Sequence, residues 1–471
     1  MESRRIMAVS PLRPYQKRDY DKLKRTMKRS RRVLFTACTG YGKTRVAGEI
    51  ARDARKKNQR ALFLAPWREL IPQTIARFEE LGLRGVGVMM SGFDPDPGAD
   101  VIVGSVETVR LWSARYPELR EVSVVVLDEA HRYGTELRKE MMELWPKAHI
   151  VGVTATPFRR TRGGLGDLFD DLVAGATMEE LIQLGFLVPP AFWTADPSSM
   201  RSFRVMPGSP HAPKPFERGP KQAHLVGDVV EEWKRVGVGK TLAFASDVSQ
   251  SKAFATAFQK IGVKAEHLDA NTTERERDAI LERFHGGKTQ IVTNCGVLCE
   301  GYDLPAIETV ILKRTSSLML YLQMCGRGLR SSPGKTECRI LDPAGNVFRF
   351  GLPQEYRTWS LDGAPQERPL DERLRPDKPS HRLGPVHVMG ELEALRSLPD
   401  DTSSAMKRLK AQGEASGYGM PWAIAEFRRL YGGPPAGKEY RQAAEEYLRR
   451  QAKAAGLPVS WAKERMKVLF G

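Results

Sequence analysis

The sequence predicts an α/β protein with two doubly wound parallel-sheet domains in tandem and a small helical domain after them. Short apolar runs rich in β-branched residues alternate with helical segments, as in a parallel sheet covered on both faces. That alternation runs from Val33 to Val153 and begins again at Thr241, ending near Leu341. In addition, Thr39-Gly40-Tyr41-Gly42-Lys43-Thr44 follows the first apolar run and opens a helical segment. A strand, a glycine-rich turn and a helix in that order form the setting of a phosphate-binding loop.

Taken in order, Val33–Ala37, Ala61–Ala65, Val101–Val103, Val122–Leu127 and Ile150–Val153 are the expected buried strands of the first domain, with a helix over Thr44–Arg55. Thr241–Ala245, Ala265–Leu268, Gln290–Thr293, Glu308–Leu312 and Cys338–Leu341 are those of the second, with a helix over Thr273–Phe284. Pro189–Pro220 is rich in Pro, Ser, Gly and charge and reads as a linker or long loop. Gly351–Pro385 carries six prolines and closes the second domain. Beyond it, Val386–Gly471 has helical periodicity broken by turn residues at Gly413, Gly417-Tyr418-Gly419 and Gly432-Gly433-Pro434-Pro435. The expected domains are therefore 1–188, 189–350, a linker over 351–385, and a helical accessory domain over 386–471.

Size and composition fit this plan. At 471 residues the chain exceeds a single core, and 41% hydrophobic with 28% charged residues is the balance of a globular protein. No apolar run approaches the roughly 20 residues that span a bilayer. Met1-Glu2-Ser3-Arg4-Arg5-Ile6 carries charge without a following apolar stretch, so no secretory signal is expected and the cytoplasm is the expected compartment. Cys38, Cys295, Cys299, Cys325 and Cys338 include no CxxC pair, so reduced thiols and no structural zinc are expected. The net charge of +17 is concentrated in residues 1–35, with twelve Lys/Arg against three acids, and after residue 403. Such runs serve either as solvated faces or as the footprint of a polyanion; beside an ATP site, nucleic acid is the better explanation.

The chemistry-bearing residues fall into three groups. In the loop, glycines let phosphates approach, Lys43 reaches the β and γ phosphates, and Thr44 holds Mg²⁺. Asp128 and Glu129 directly follow the apolar run Val124–Leu127, so they end a buried strand, where α/β sheets bind ligands. Asp128 is assigned to Mg²⁺ and Glu129 to the attacking water. Far downstream, Gln323 and Gly326-Arg327-Gly328-Leu329-Arg330 offer arginines for the charge that develops in phosphoryl transfer.

The order of these motifs resembles that of the superfamily 2 helicases and translocases, of the DEAH type, with two RecA-like domains. Leu12-Arg13-Pro14-Tyr15-Gln16 is similar to the adenine-recognition motif, in which Gln16 would read the base and Arg13 support it. The loop itself has the form Ala-x-x-Gly-x-Gly-Lys-Thr, starting at Ala37, that is common in this superfamily. Ala65-Pro66-Trp67-Arg68-Glu69-Leu70 resembles motif Ia, Gly104-Ser105-Val106-Glu107-Thr108 motif Ib, and Thr154-Ala155-Thr156-Pro157 motif III. Phe244-Ala245-Ser246 resembles motif IV, Thr293 through Glu300-Gly301-Tyr302-Asp303 motif V, and Gln323–Arg330 motif VI. The resemblance implies that Arg327 and Arg330 are arginine fingers on the γ-phosphate and that Gly301 and Asp303 touch the nucleotide. It implies that Pro66, Arg68, Ser105, Thr108, Ser246 and Thr293 line a single nucleic-acid strand, and that His131, Thr154 and Thr156 couple hydrolysis to that strand.

Within the superfamily, Gly152–Arg159, Gly328-Leu329-Arg330 and Gly417-Tyr418-Gly419-Met420-Pro421-Trp422-Ala423 resemble RadD-like and UvsW-like helicases of bacteria and phages. The resemblance therefore implies an ATP- and Mg²⁺-dependent monomeric motor on single-stranded or branched DNA, in a bacterial cell or a phage-infected host. RNA helicase, the translocating subunit of a restriction system, and a binding scaffold whose ATPase has decayed are the alternatives. In the tail, Ile424, Phe427 and Tyr431 share a helix face beside Arg428 and Arg429. That face either packs the small domain or serves as a nucleic-acid platform.

Overall fold

A computed structural model describes residues 12–194 except 69, 135 and 160–162, residues 222–365 except 300–305, residues 386–388, and scattered positions between 441 and 466. The chain divides into two compact units, residues 1–178 with 356–366, and residues 179–355 with 367–471. Each unit is built on a seven-stranded sheet.

The first sheet comprises β1 (Arg32–Thr36), β2 (Ala61–Ala65), β3 (Val86–Met89), β4 (Val101–Ser105), β5 (Val124–Asp128), β6 (His149–Thr154) and β7 (Asp171–Ala174), in the order β3-β4-β2-β5-β6-β1-β7. Every pairing is parallel. β2 and β4 are buried along their whole length, as strands covered by helices on both faces must be. The second sheet comprises β8 (Pro190–Thr194), β9 (Thr241–Phe244), β10 (Ala265–Leu268), β11 (Ile291–Asn294), β12 (Thr309–Ile311), β13 (Cys338–Asp342) and β14 (Val386–Val388), ordered β10-β11-β9-β12-β13-β8-β14 and again parallel. The two parallel α/β domains are thus those expected from the alternation of apolar runs.

The expected linkers are partly something else. Pro190–Thr194 is not loop but a fully buried strand, since a proline is tolerated as a strand's first residue and Ala191, Phe192 and Trp193 supply apolar surface. Residues 356–366 belong to the first unit rather than closing the second. There Trp359 stacks on Phe158 at 6.0 Å, and the Gly166 amide donates to the Leu361 carbonyl at 2.9 Å. Val386–Val388 adds an edge strand where helix was expected. Residues 195–221 and 366–385, and the tail residues Gly417–Ala423, Ile424, Phe427 and Tyr431, lie outside the described residues. No helix among the described residues is long and apolar enough to cross a membrane.

Candidate active site

Parallel pairing brings the chemistry of the first unit to one edge. β5, β6 and β1 are successive neighbours, with Thr36 in register with Thr154 and Asp128 with Val153. The loop after β1, the turn after β6 and the acids ending β5 therefore meet at the carboxyl ends of the strands, where such sheets bind ligands.

Within the loop, Gly40 and Gly42 adopt φ of 84° and 89°, a left-handed region that glycine alone enters without penalty. A Cβ on Gly42 would also lie 2.7 Å from the Gln16 amide nitrogen. Lys43 begins the helix Lys43–Lys56, and its Nζ donates to the Ala37 carbonyl at 3.3 Å, closing the loop on itself. Thr39 and Thr44 are partly exposed.

The Tyr41 side chain is turned into the core. Its ring is wholly buried, edge-on to Tyr15 at 5.1 Å and to Phe35 at 5.6 Å. Its hydroxyl donates to Asp19 Oδ2 at 3.1 Å, and the same oxygen accepts the Ala176 amide at 2.7 Å. Tyr41 can offer a nucleotide only its backbone, because its side chain anchors the loop. Asp19 is thus a supporting residue that the motifs did not reveal. The one sequence signal was its position four residues after Tyr15 on the helix Pro14–Met27.

Arg13 and Gln16, expected at the adenine, brace the same loop. Gln16 is 0% exposed. Its Oε1 accepts the Arg13 amide at 3.0 Å and its Nε2 donates to the Tyr41 carbonyl at 2.9 Å. That carbonyl also accepts the Tyr15 hydroxyl at 3.0 Å, and Arg13 Nη1 donates to Tyr15 at 3.1 Å.

Asp128 Oδ1 accepts the Glu129 amide at 3.0 Å. Burial and then the neighbouring Glu129 push the Asp128 carboxyl up to about 7, against the pull of Lys43. Glu129 itself sits at φ 44°, a costly conformation for a residue with a Cβ. His131 Nδ1 is 2.9 Å from Thr154 Oγ1 and 3.4 Å from Glu129 Oε2. Thr154 Oγ1 gives its single proton to the Thr156 carbonyl at 3.0 Å and accepts the Thr156 amide at 3.1 Å. The ring nitrogen is then the donor to Thr154. His131, Thr154 and Thr156 are all buried, so a hydrogen-bonded chain runs from His131, beside Glu129, into the turn after β6.

This donor set fits a nucleoside triphosphate with Mg²⁺. Two left-handed glycines and a helix start suit phosphates, and an acid pair in which Glu129 raises the proton affinity of Asp128 suits a cation. Among the described residues no three His, Cys, Asp or Glu side chains converge on a metal position. Mg²⁺ commonly takes one or two carboxylates and completes its shell with water and phosphate oxygens, which Thr44 and Asp128 would allow.

Of the residues expected along a nucleic-acid strand, Pro66 is half-buried and Arg68 exposed just beyond β2, with Arg68 Nη2 donating to the Ser91 carbonyl at 2.8 Å. Ser105 caps the helix Val106–Trp112, accepting the Thr108 amide at 3.1 Å and donating to Thr108 Oγ1 at 2.9 Å. The Ser105 proton is therefore committed to the cap, whereas the Thr108 hydroxyl only accepts there. In the second unit Ser246 is exposed beyond β9. Thr293, expected on that surface, is instead 0% exposed, and its hydroxyl donates to the Ser251 carbonyl at 2.8 Å. Strand β11 lies inside the sheet, between β10 and β9, and this side chain ties it to the helix Val248–Lys260.

Gln323 and Arg327 lie on the buried helix Leu318–Gly328. Arg327 is 6% exposed, with Nε and Nη2 donating to the Cys299 carbonyl at 3.0 and 2.7 Å. Arg330 is partly exposed just past the helix. Gly301 and Asp303 lie outside the described residues. A Cβ on Gly328 would overlap Cys338 Sγ, so glycine is what lets the helix end close against β13. Lys335, which no motif marked, is buried there, its Nζ donating to the Gly328 carbonyl and, at 2.8 Å, to the Arg330 carbonyl.

Comparison with known proteins follows the same two-unit plan. Residues 10–159 match the family model described as type III restriction enzyme, res subunit, and residues 223–332 match the helicase conserved C-terminal domain. A 51.5 kDa protein of a Lactococcus phage is 30% identical over 68% of this chain and 67% of its own length. A Saccharomyces cerevisiae protein named as the ATP-dependent helicase IRC3 is 26% identical over 73% of this chain. A type I restriction enzyme EcoAI endonuclease subunit of Escherichia coli is 25% identical over 89%. The chain spans 52% of the yeast relative and 58% of the Escherichia coli one. The fold is shared with S. cerevisiae Dbp5 bound to RNA and ADP BeF3 (TM-score 0.50, 18% identity, 72% of this chain and 91% of that one). It is shared also with the helicase MrfA bound to DNA (TM-score 0.52, 14% identity, 73% and 48%). The res-subunit match over the first parallel α/β unit, the helicase C-terminal match over the second and the helicase relatives together show that the chain belongs to the superfamily 2 helicases, a family of helicase-type ATPases.

Proposed function

We propose that the chain is a DEAH-type, ATP-dependent DNA helicase or translocase that moves along or remodels single-stranded or branched DNA. The observation that supports this most is the buried hydrogen-bonded chain His131–Thr154–Thr156, which starts 3.4 Å from the Glu129 carboxylate. It gives the hydrolytic residues a physical link to a turn beyond their own site.

Bound ATP with Mg²⁺ supplies the phosphoryl group and neutralises part of its charge. Lys43 would hold the β and γ phosphates, and Thr44 and Asp128 the metal, with Thr39, Gly40, Tyr41 and Gly42 contributing loop backbone. Glu129 would take a proton from the attacking water. Arg13, Gln16, Gly301 and Asp303 would serve the nucleoside. Gln323, Arg327 and Arg330 would stabilise developing charge, and Arg327 must first release the Cys299 carbonyl. The net charge of +17 and the resemblance to RadD-like and UvsW-like helicases favour DNA and a role in repair, recombination or replication. Action as a monomer in the cytoplasm of a bacterium or phage-infected host completes the proposal.

Strand separation on matched DNA and RNA forks tests it. The wild type is expected to open the DNA fork with ATP, and Lys43→Ala to bind the fork without opening it. Opening of the RNA fork alone would replace DNA with RNA as the substrate, and separation without ATP would contradict the proposal.

A further inference from the structure

Trp67 and Phe93 are two of the four large apolar side chains left exposed among the described residues, 45% and 46% open. Trp67 stands beside a cation, and an arginine holds the turn that carries Phe93. Trp67 lies two residues past β2, and the Arg132 guanidinium sits over its ring, 4.7 Å from the centroid. Arg132 belongs to the turn Ala130–Arg132 that directly follows Asp128 and Glu129. On the other side of Trp67 in sequence, Arg68 donates to the Ser91 carbonyl at 2.8 Å. It thereby grips the turn that carries Phe93, closed by the Phe93 amide on the Met90 carbonyl at 3.2 Å and by Gly92 at φ 90°.

Lone exposed aromatics are ordinary on protein surfaces. Here, however, an indole is held in place by a guanidinium at the carboxyl end of the sheet, with a second arginine adjacent. A pre-oriented ring offers a π-face at little entropic cost, and the cations complement phosphate, which is the composition of single-strand stacking sites.

We propose that Trp67 is a stacking platform for a base of an unpaired DNA strand. Arg132 positions the ring, and Arg68 with the Phe93 turn extends the surface along the strand. Because Arg132 shares its turn with the acid pair, base stacking would be mechanically joined to the hydrolytic residues. This inference rests on the DNA-translocase reading.

The test measures binding of the full-length protein to fluorescently labelled oligothymidylate and to an abasic oligomer of equal length. Trp67→Ala is expected to weaken oligothymidylate binding roughly tenfold, the size of one lost stack, with abasic binding and the thermal midpoint unchanged. Trp67→Phe is expected to keep the affinity while losing part of the tryptophan quenching that accompanies binding. Unchanged oligothymidylate binding by Trp67→Ala, or an equal loss on the abasic strand, overturns the platform. A loss seen only with oligouridylate RNA overturns its assignment to DNA. A wild type that binds neither DNA oligomer overturns the parent reading instead.

Discussion

Glu129 carries the most telling single conformation in the first unit. Its φ of 44° is held by the Asp128 carboxylate on its amide and by the short turn that follows. A side chain with a Cβ pays for that conformation, so the position serves placement of the carboxylate rather than stability. Glu129→Gly is expected to be more stable than Glu129→Ala by about 1 kcal/mol in urea denaturation, while both lose ATP hydrolysis. Equal stabilities would show that the backbone is unstrained. At this scale, legibility depended on sequence distance. Lys43 and its glycines form one local pattern and were read directly. Asp19 was not, since the amide it accepts belongs to Ala176, 157 residues away. Gln16 and Thr293 were read as open contacts, but their polar atoms are taken up by internal partners.

Elements were legible where burial made them uniformly apolar. Ala61–Ala65, wholly apolar and buried, falls where the apolar run placed it. β3 and β7 escaped notice as edge strands, one containing glycine and the other starting at an aspartate. β8 was masked by its leading prolines. The helix Leu318–Gly328 shows how an element depends on a residue outside it. Burial lowers the Lys335 ammonium from its ordinary 10.5. With the folded value below the unfolded one, the unfolded chain holds the extra proton between the two values, so stability rises with pH across that interval. Lys335→Met is expected to cost about 2 kcal/mol, since it strips two carbonyls of their donor. The gap between wild type and variant should widen as pH climbs toward about 10.5; a gap constant with pH in urea denaturation would show that the amine is not penalised by burial.

For the whole molecule, composition and motif order carried the two-domain plan, whereas the return of residues 356–366 to the first unit had no local signature. That return depends on Trp359 finding Phe158 and on Leu361 finding Gly166, pairings separated by about two hundred residues that no short pattern encodes. Its place matters because Phe158 follows directly on Thr154-Ala155-Thr156-Pro157, the turn to which His131 is bonded. The proposed function requires that the ATP site and a nucleic-acid strand be coupled through the His131–Thr154–Thr156 chain, which is its central claim. Steady-state ATP hydrolysis, measured with and without single-stranded or forked DNA, tests that claim most directly. Stimulation by DNA in the wild type, absent in Lys43→Ala, is the predicted result; hydrolysis indifferent to any nucleic acid would contradict it.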